Sequence, residues 1–267
     1  MKNFVLALAL IVSIPMGTAA ADALEDAVNN PQRTAAYTER DQYRNPLETL
    51  RFFGVQPDMT VAEIWASPGW YAEILAPYLK ADGKYYAVGF SLTAKRTPQW
   101  RRNMANELIA KFDADPGNYS ALEVTSLSVP EDTVIAPPGT IDVVLTFRNV
   151  HNWMKGEYAP GVFAAMYAAL RPGGILGVVE HRAAPGTSVD MMEMSGYVTE
   201  AQVIEFAEAA GFVFEARSEV NANPKDTKDY PRGVWTLPPS LRMKDVDREK
   251  YLAIGESDRM ALKFRKP

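Results

Sequence analysis

The sequence contains two histidines, and each lies just past the end of a predicted β-strand. His151 follows the apolar run 141–147, and His181 follows the run 175–180. Because imidazole exchanges protons near neutral pH, both histidines are candidate catalytic groups, with Asn152 as a hydrogen-bonding neighbour. The alternative is a structural role, in which each ring caps its strand end by bonding a backbone carbonyl.

A metal site or a reactive thiol finds little support in the sequence. The chain has no cysteine, which excludes disulfides, thiolate metal ligands and cysteine nucleophiles. Glu180 precedes His181, so a site with two histidines and one glutamate is geometrically conceivable. No metal-ligand spacing motif accompanies these residues, and we therefore predict no metal site.

The elements that position these residues repeat a pattern of strand, turn and helix. This alternation predicts βαβ units in an α/β fold with a mostly parallel sheet. Capping patterns predict helix starts at Asn45-Pro46, Thr97-Pro98 and Thr199. The predicted strands are 60–65, 84–90, 121–125, 141–147, 175–180, 212–220 and 260–264.

A stretch rich in proline and charge, 221–258, separates the last two strands. It contains no convincing helix pattern, so the last strand is predicted to return antiparallel to its neighbour. A long insertion of this kind is either a lid or binding loop, or a disordered surface excursion. Ser257-Asp258-Arg259, where the last strand begins, is predicted to form a local ion pair.

The first 21 residues have the layout of a secretory signal peptide. Lys2 precedes the apolar run 4–14, which is followed by Pro15, Gly17 and small residues. The run is shorter than the roughly 20 residues that a membrane-spanning helix needs. We therefore expect a periplasmic or secreted protein, with 22–267 as a single domain and no membrane contact after cleavage.

The charge of the chain argues against nucleic acid as a partner. The formal net charge is −5 at pH 7, and nucleic-acid binding needs a positive surface. The basic residues 95–102 are interpreted as a solvated helix face. A small-molecule substrate is the expected partner, and the sequence does not indicate an oligomeric state.

Four blocks of the sequence resemble a family of exported or predicted S-adenosylmethionine-dependent methyltransferases. The blocks are VAEIWASPGWYAEILAPYL, IDVVLTFRNVHNW, LRPGGILGVVEHRA and ESDRMALKFRKP, and together they span most of residues 61–267. The resemblance implies a Rossmann-like methyltransferase fold with a seven-stranded sheet, an antiparallel last strand and helices on both faces. It also implies S-adenosylmethionine as the cofactor.

The resemblance implies a cofactor-binding loop after the first strand, and this loop is altered here. The class has an acid followed by three alternating glycines. Glu63 holds the acidic position and Gly69 the last glycine, whereas Trp65 and Ser67 replace the first two. Trp cannot replace a glycine that the cofactor approaches closely unless the chain moves or the ring fills the pocket. A Trp here is typical of the subfamily, so stacking on the cofactor is the alternative.

Two further positions carry roles by the same resemblance. At the end of the second strand, where the class binds ribose hydroxyls with an acid, this chain has Phe90 and Ser91. Core packing is the simpler explanation for Phe90. After the fourth strand, Asn149 is expected near the cofactor, His151 is expected to act as base or orienter, and Trp153 is expected to form a wall of the cleft.

These features predict a methyltransferase that acts on an unknown small-molecule or exported substrate. The alternative is a non-catalytic periplasmic protein, derived from this fold, that binds a ligand or a partner. The altered loop and the missing ribose acid favour that alternative. A nicotinamide-dependent oxidoreductase ranks last, because it needs the same glycines and the same acid.

Overall fold

The computed structural model describes residues 17–119 and 122–267, with side chains from residue 23 onward. Most of the predicted signal peptide, residues 1–16, lies outside the described residues. The strands are β1 (Thr60–Ile64), β2 (Lys84–Gly89), β3 (Leu122–Ser126), β4 (Ile141–Phe147), β5 (Leu170–His181), β6 (Val213–Ser218) and β7 (Arg259–Arg265). The helices are α1 (Gly17–Val28), α2 (Ala35–Thr38), α3 (Asp41–Arg44), α4 (Pro46–Phe53), α5 (Ala72–Leu79), α6 (Gln99–Ala114), α7 (Pro116–Tyr119), α8 (Val150–Lys155), α9 (Ala159–Ala169), α10 (Val189–Ser195), α11 (Glu200–Ala209) and α12 (Arg248–Ile254).

The strands form one seven-stranded sheet in the order β3-β2-β1-β4-β5-β7-β6. Strands β1 to β5 pair in parallel, and β7 runs antiparallel to both β5 and β6. The predicted α/β class and the antiparallel return of the last strand are confirmed. Strand order reverses between β1 and β4, and in such sheets ligands bind beyond the carboxyl ends of the strands at that point.

The central strands are apolar because helices cover both faces of the sheet. Successive side chains of a strand point to opposite faces, so Ala62 and Ile64 pack into one core while Val61 packs into the other. In β4 the neighbours Val143 and Val144 divide in the same way. This two-sided burial fixes the register of β1 and β4, and with it the residues that follow each strand.

The helix starts agree with the predicted positions but only partly with the predicted caps. Thr199 accepts a hydrogen bond from the Gln202 amide at 3.2 Å, as its capping pattern predicts. Asn45 does not cap α4 with its side chain, and its Nδ2 donates to the Val220 carbonyl at 2.7 Å instead. Asn45 therefore links the start of α4 to the segment that follows β6.

The insertion 221–258 folds back against the carboxyl edge of the sheet. It contains a 3₁₀ turn, Gly233–Thr236, and the short helix α12. Trp235 from this turn has its ring centroid 5.9 Å from that of His151. Residues of the insertion, Trp235 among them, thus lie at the predicted site, which agrees with a lid or binding loop.

The predicted ion pair at the start of β7 has different partners. Asp258 binds Arg182 at 2.9 Å and Lys228 at 3.0 Å. Arg259 binds Glu256 at 2.5 Å. Asp258 and Arg259 therefore do not pair with each other: Asp258 binds cations from distant parts of the chain, whereas Arg259 forms its local ion pair with Glu256 three residues earlier.

Helix α1 begins inside the predicted signal segment and continues past it. Leu24, Ala27 and Val28 are buried in the core that also contains α4 and α5. Among the residues that the structure describes, no helix is both long and apolar enough to cross a membrane.

Candidate active site

A cavity of about 300 Å³ lies at the carboxyl ends of β1, β4 and β5. It occupies the point where the strand order reverses, as expected for a ligand site in this type of sheet. Its lining residues come from the segment 37–44 before β1, from the ends of the three strands and from the insertion. They include Tyr37, Arg40, Arg44, Glu63, Trp65, Ser67, Trp70, Tyr71, Phe147, Arg148, Asn149, His151, His181, Trp235 and Ser240.

His151 and Glu180 form a buried pair in this cavity. Nδ1 of His151 lies 3.1 Å from Oε1 of Glu180, whose side chain is fully buried. The carboxylate also accepts the backbone N–H of His151 at 3.2 Å and that of His181 at 2.8 Å. Because Glu180 is an acceptor, it favours the tautomer of His151 with the proton on Nδ1. Nε2 is then free to accept a proton from a bound molecule.

His181 lies beside this pair, with its ring centroid 5.4 Å from that of His151. Its Nδ1 lies 2.5 Å from the Ser257 hydroxyl. Burial lowers the pKa of His181 well below its usual value, and repulsion by nearby arginines, among them Arg259, lowers it further. His181 is therefore neutral at physiological pH and acts as a hydrogen-bonding group rather than as a cation.

Glu63 ends β1 as a buried acid. Its Oε2 accepts a hydrogen bond from the Tyr85 hydroxyl at 2.6 Å. Burial raises the pKa of Glu63 to about 8, against the opposing effects of that hydrogen bond and of Arg148. The acidic position of the cofactor loop is thus kept, but its carboxyl group is largely protonated at neutral pH.

Three arginines contribute the positive charge of the cavity. Arg44 is buried, and its Nε lies 3.3 Å from Glu256 while its Nη2 has no hydrogen-bond partner among the described residues. Arg40 binds the same carboxylate at 2.5 Å and also has a buried Nη2 without a partner. Burial, followed by the charge of Arg259, lowers the pKa of Arg148 to about 10.

Trp65 separates this cavity from a second one of about 430 Å³ and lines both. Its indole extends over the end of β2, where Nε1 donates to the Leu127 carbonyl at 3.2 Å. Its ring packs on Phe90 at 4.7 Å, and the Arg101 guanidinium lies 4.4 Å above it. Trp65 also has a positive φ of 53°, a conformation usually left to glycine.

In the rest of the altered loop, Gly69 lies outside the cavity lining, whereas Ser67 belongs to it. Gly69 has φ +89°, and a Cβ there would lie 3.3 Å from Leu108 of α6. Its glycine therefore serves the turn and the close approach of α6, rather than contact with a ligand. Ser67 lines the cavity, while its hydroxyl donates to the Met104 carbonyl at 3.4 Å.

The two residues predicted to bind the ribose make contacts within the protein instead. Phe90 is buried under Trp65, which agrees with its alternative interpretation as core. Ser91 is buried, and its hydroxyl accepts the Ala94 amide at 3.2 Å within its own turn. Neither residue lines the first cavity, so the structure does not place them with Glu63 and Ser67.

The residues after β4 divide into two groups. Asn149 lines the cavity with His151, and its Nδ2 binds the Ile64 carbonyl at 3.0 Å, which joins the ends of β1 and β4. Asn152 lines neither cavity. Trp153 is fully buried in the core, so its predicted role as a wall of the cleft is wrong. These differences arise because helix α8 begins three residues after β4. Its helical geometry directs Trp153 into the core, while Asn152 points away from both the core and the cavity.

Sequence reasoning missed Arg40, Arg44, Arg148 and Trp235. Arg148 stands directly after β4, so its position alone was a signal for the site. Arg40 and Arg44 stand four residues apart, which places both side chains on one face of a helical turn. Trp235 carries no local signal, since only the fold of the insertion brings it to His151.

One cluster could hold a metal ion by its geometry. Potential ligand atoms of His151, Glu180 and His181 all lie within 4.8 Å of one another. Glu180, however, already accepts from one imidazole and two backbone amides. A metal would have to replace these contacts.

Comparison with solved structures identifies the fold. The chain aligns over 92% of its length with 98% of an S-adenosylmethionine-dependent methyltransferase from Aquifex aeolicus, with a TM-score of 0.55 and 16% identity. It aligns over 91% with 60% of phosphoethanolamine N-methyltransferase 2 from Haemonchus contortus, solved with S-adenosyl-L-methionine (TM-score 0.54, 14% identity). It also aligns over 93% with 93% of the [4+2]-cyclase SpnF (TM-score 0.53, 15% identity).

No protein-family model and no curated protein sequence matches the chain. At these low identities the structural similarity concerns the fold, and one fold supports several activities. The chain has the Rossmann-like fold of S-adenosylmethionine-dependent methyltransferases, as the sequence predicts.

Proposed function

We propose that this chain is an S-adenosylmethionine-dependent methyltransferase that acts on a small molecule in the first cavity. The observation that carries the proposal is the His151–Glu180 pair, which faces a cavity at the reversal point of a methyltransferase fold. A general base held by a buried carboxylate is suited to remove a proton from an acceptor hydroxyl, amine or acidic carbon.

The residues of the cavity divide this work between them. Glu180 is a positioning residue, because it fixes the ring of His151 and the tautomer with a free Nε2. His151 accepts the proton of the acceptor atom at Nε2. Neutral His181 offers Nε2 as a hydrogen-bonding group, because Ser257 engages its Nδ1. The lid residue Trp235 restricts water access above His151, which strengthens these polar contacts.

The cofactor fits one end of the site better than the other. Its amino-acid end carries a carboxylate and an ammonium group, for which the cavity offers the polar atoms of the loop that follows Glu63. Its ribose does not fit while Trp65 lies over Phe90, because the ring fills the space at the end of β2. Cofactor binding therefore requires the ring of Trp65 to move.

When bound, S-adenosylmethionine supplies a methyl group whose bond to sulfur breaks as its bond to the acceptor atom forms, leaving a thioether. The protein contributes mainly position and proton transfer to such a displacement.

The direct test is calorimetric titration of the folded chain with S-adenosylmethionine and with its demethylated product. Binding with a Kd in the micromolar range supports the proposal. The absence of binding up to about 1 mM, far above typical cofactor affinities, contradicts it. Mass spectrometry of acceptor mixtures incubated with the protein and the cofactor then identifies the methylated compound.

The alternative function is non-catalytic ligand binding by a protein derived from this fold. One observation favours it, namely that Trp65 fills the ribose position with a hydrogen-bonded and largely buried ring. In that case the cavity binds a ligand while the cofactor does not bind. Recovery of any methylated product that depends on His151 excludes the alternative.

Export is part of the proposal. It is supported by the N-terminal sequence pattern, and cleavage after residue 21 would leave the buried residues Leu24, Ala27 and Val28 in place. Mass spectrometry of protein from the periplasm of an expressing bacterium tests this. We expect a mature chain that begins near Asp22, and an intact Met1 in the cytoplasm contradicts it.

A further inference from the structure

We propose that the first cavity binds a small substrate that carries an oxyanion, either a carboxylate or a phosphate, on a flat apolar body. Arg44 and Arg148 bind the oxyanion, and the aromatic walls contact the body. The identification of this molecule as the methyl acceptor rests on the proposed function, whereas its binding does not.

The arginine side chains of the cavity have donors to spare. Arg44 is buried, lines the cavity and leaves Nη2 without a hydrogen-bond partner among the described residues. Arg148 also lines the cavity, and its side chain makes no hydrogen bond or ion pair within the part of the chain that the structure describes. A buried donor without a partner is costly, and a guanidinium matches the geometry of a carboxylate or phosphate. These unused donors therefore point to an anionic group as the missing partner.

The net charge of the groups around the cavity also favours an anionic ligand. Arg40, Arg44, Arg148 and Arg259 interact electrostatically around the carboxylate of Glu256. Glu63 also interacts with Arg148 and Arg44, but its pKa of about 8 leaves it largely uncharged at neutral pH. Four positive charges and one negative charge leave an excess of three in that cluster. With Glu180 counted as a carboxylate, an excess of two remains. An oxyanion reduces this excess, while a cation adds to it.

The positive charge also decides between an anion and a metal ion. Burial disfavours protonation of His181, and so do its sheet partner Arg259 and the cavity residues Arg148 and Arg44. A divalent metal held by His151 and His181 would meet the same repulsion. We therefore assign the free imidazole nitrogens to the bound molecule rather than to a metal.

The walls of the cavity are aromatic. Tyr71 stacks on Phe147 with ring centroids 3.7 Å apart, and both line the cavity. Trp70 and Trp235 contribute two more rings. Aromatic walls favour a flat apolar body. The volume of about 300 Å³ lies at the small end of ligand pockets, so a one-ring acid fits better than a long chain.

The test compares anionic and neutral molecules of the same shape on the wild-type protein. The probes are benzoate and phenyl phosphate, with benzamide and benzyl alcohol as their neutral counterparts, at constant ionic strength. Binding is measured by calorimetry and by quenching of tryptophan fluorescence. We expect the anions to bind at least about 10-fold more tightly than the neutral probes. Equal affinities, or no binding of the anions up to about 10 mM, overturn the proposal.

Variants locate the binding site. Arg148→Gln and Arg44→Gln should each weaken anion binding by about 10- to 100-fold and leave benzamide binding unchanged. Arg148→Gln is the cleaner variant, because Arg148 forms no ion pair with the described residues that its removal would break. The matched control is Arg171→Gln, an exposed arginine at the other end of β5 that pairs with Asp142. Thermal melts check that each variant is folded, and loss of binding in the control overturns the assignment.

A second set of titrations tests whether the arginines bind an anion of the substrate or the carboxylate of the cofactor. Saturation with S-adenosylmethionine should leave benzoate binding unchanged or make it tighter. Competition between the two would assign the arginines to the carboxylate of the cofactor and overturn the substrate assignment. Anion binding that requires added Zn²⁺ overturns it as well. Benzoate binding without any methyl transfer, in contrast, rejects only the proposed function.

Discussion

The two halves of the carboxyl edge of the sheet differ sharply in chemistry. Beyond β1, β4 and β5 the cavity holds two histidines and three arginines. Beyond β2 and β3 the edge is covered by the aromatic cluster of Trp65, Phe90 and Trp153, with Arg101 above it. Both halves belong to one fold, and Trp65 is the boundary between them.

This difference shows where the carboxyl edge of the sheet offers unused polar groups. The half beyond β1, β4 and β5 has side chains with free hydrogen-bonding capacity, such as the Arg44 guanidinium. In the other half, Trp65 and Ser91 make hydrogen bonds within the protein and the rings pack on one another, although Arg101 Nε and Trp153 Nε1 have no hydrogen-bond partner among the described residues. The comparison therefore predicts that substitutions in the first half change activity, while substitutions in the second half change stability and cofactor access.

The largest expected effect is on catalysis in the polar half. His151→Ala should lower kcat for methyl transfer by about 10²- to 10⁴-fold, because it removes the general base. The rate is measured as product formation in a single turnover with the acceptor found by screening. Lys155→Ala, an exposed position on the same helix, serves as the control. A kcat within a factor of about 3 of wild type would remove His151 from the mechanism.

Removal of the boundary residue should affect the aromatic half. Trp65→Ala loses a buried ring and should destabilise the protein by about 3–5 kcal/mol, measured by urea unfolding. Trp65→Gly should be more stable than Trp65→Ala by about 1 kcal/mol, since glycine adopts the positive φ of this position without cost. Both variants should bind S-adenosylmethionine more tightly than wild type. Weaker binding in both would mean that Trp65 stacks on the cofactor.

Much of the fold was predictable because it depends on local patterns. Apolar strand runs, turn residues and capping signals place all seven strands, and β4 matches its predicted run of 141–147. The site was predictable only where it follows a strand end, as for Glu63, His151 and His181. Arg40, Arg44 and Trp235 reach the cavity through long-range packing, which no local pattern encodes. Trp153 follows a strand end as well, but packing around α8 directs its ring into the core rather than into the cleft.

The buried acid at the boundary should make stability depend on pH. The pKa of Glu63 is about 8 in the folded protein, above its unfolded value of 4.5, so the folded state holds the extra proton. Stability should therefore fall as pH rises between these values, by at most about 1.4 kcal/mol per pH unit. The lowered pKa of His181 has the opposite effect below its unfolded value of 6.5. The effect of Glu63 should thus be clearest between pH 6.5 and 8.

Glu63→Gln isolates this contribution. A glutamine side chain cannot ionise, so the free energy of unfolding of this variant should stay nearly level between pH 6.5 and 8, while that of wild type falls. Urea unfolding at several pH values gives both curves. Parallel curves for the two proteins would show that Glu63 is already ionised at pH 6.5.

The smallest expected effect concerns the cation on the aromatic half. The Arg101 guanidinium lies 4.4 Å from the Trp65 ring, and both of its Nη atoms lie 3.2 Å from the Tyr158 hydroxyl. The interpretation of residues 95–102 as a solvated helix face is therefore wrong for Arg101. It is also wrong for Lys95 and Arg96, which lie in a turn before α6, and for Arg102, which bonds backbone carbonyls. Arg101→Met should destabilise the protein by about 1 kcal/mol, since it removes the cation–π contact but keeps an apolar side chain over the ring.

The control for this substitution is Arg96→Met, at an exposed position of the same basic stretch. It should change the free energy of unfolding by less than about 0.5 kcal/mol, as surface substitutions usually do. Arg101→Met should also leave anion binding in the first cavity unchanged, because Arg101 lines only the second one. A loss of anion binding in Arg101→Met would mean that the two halves are coupled through Trp65 rather than separated by it.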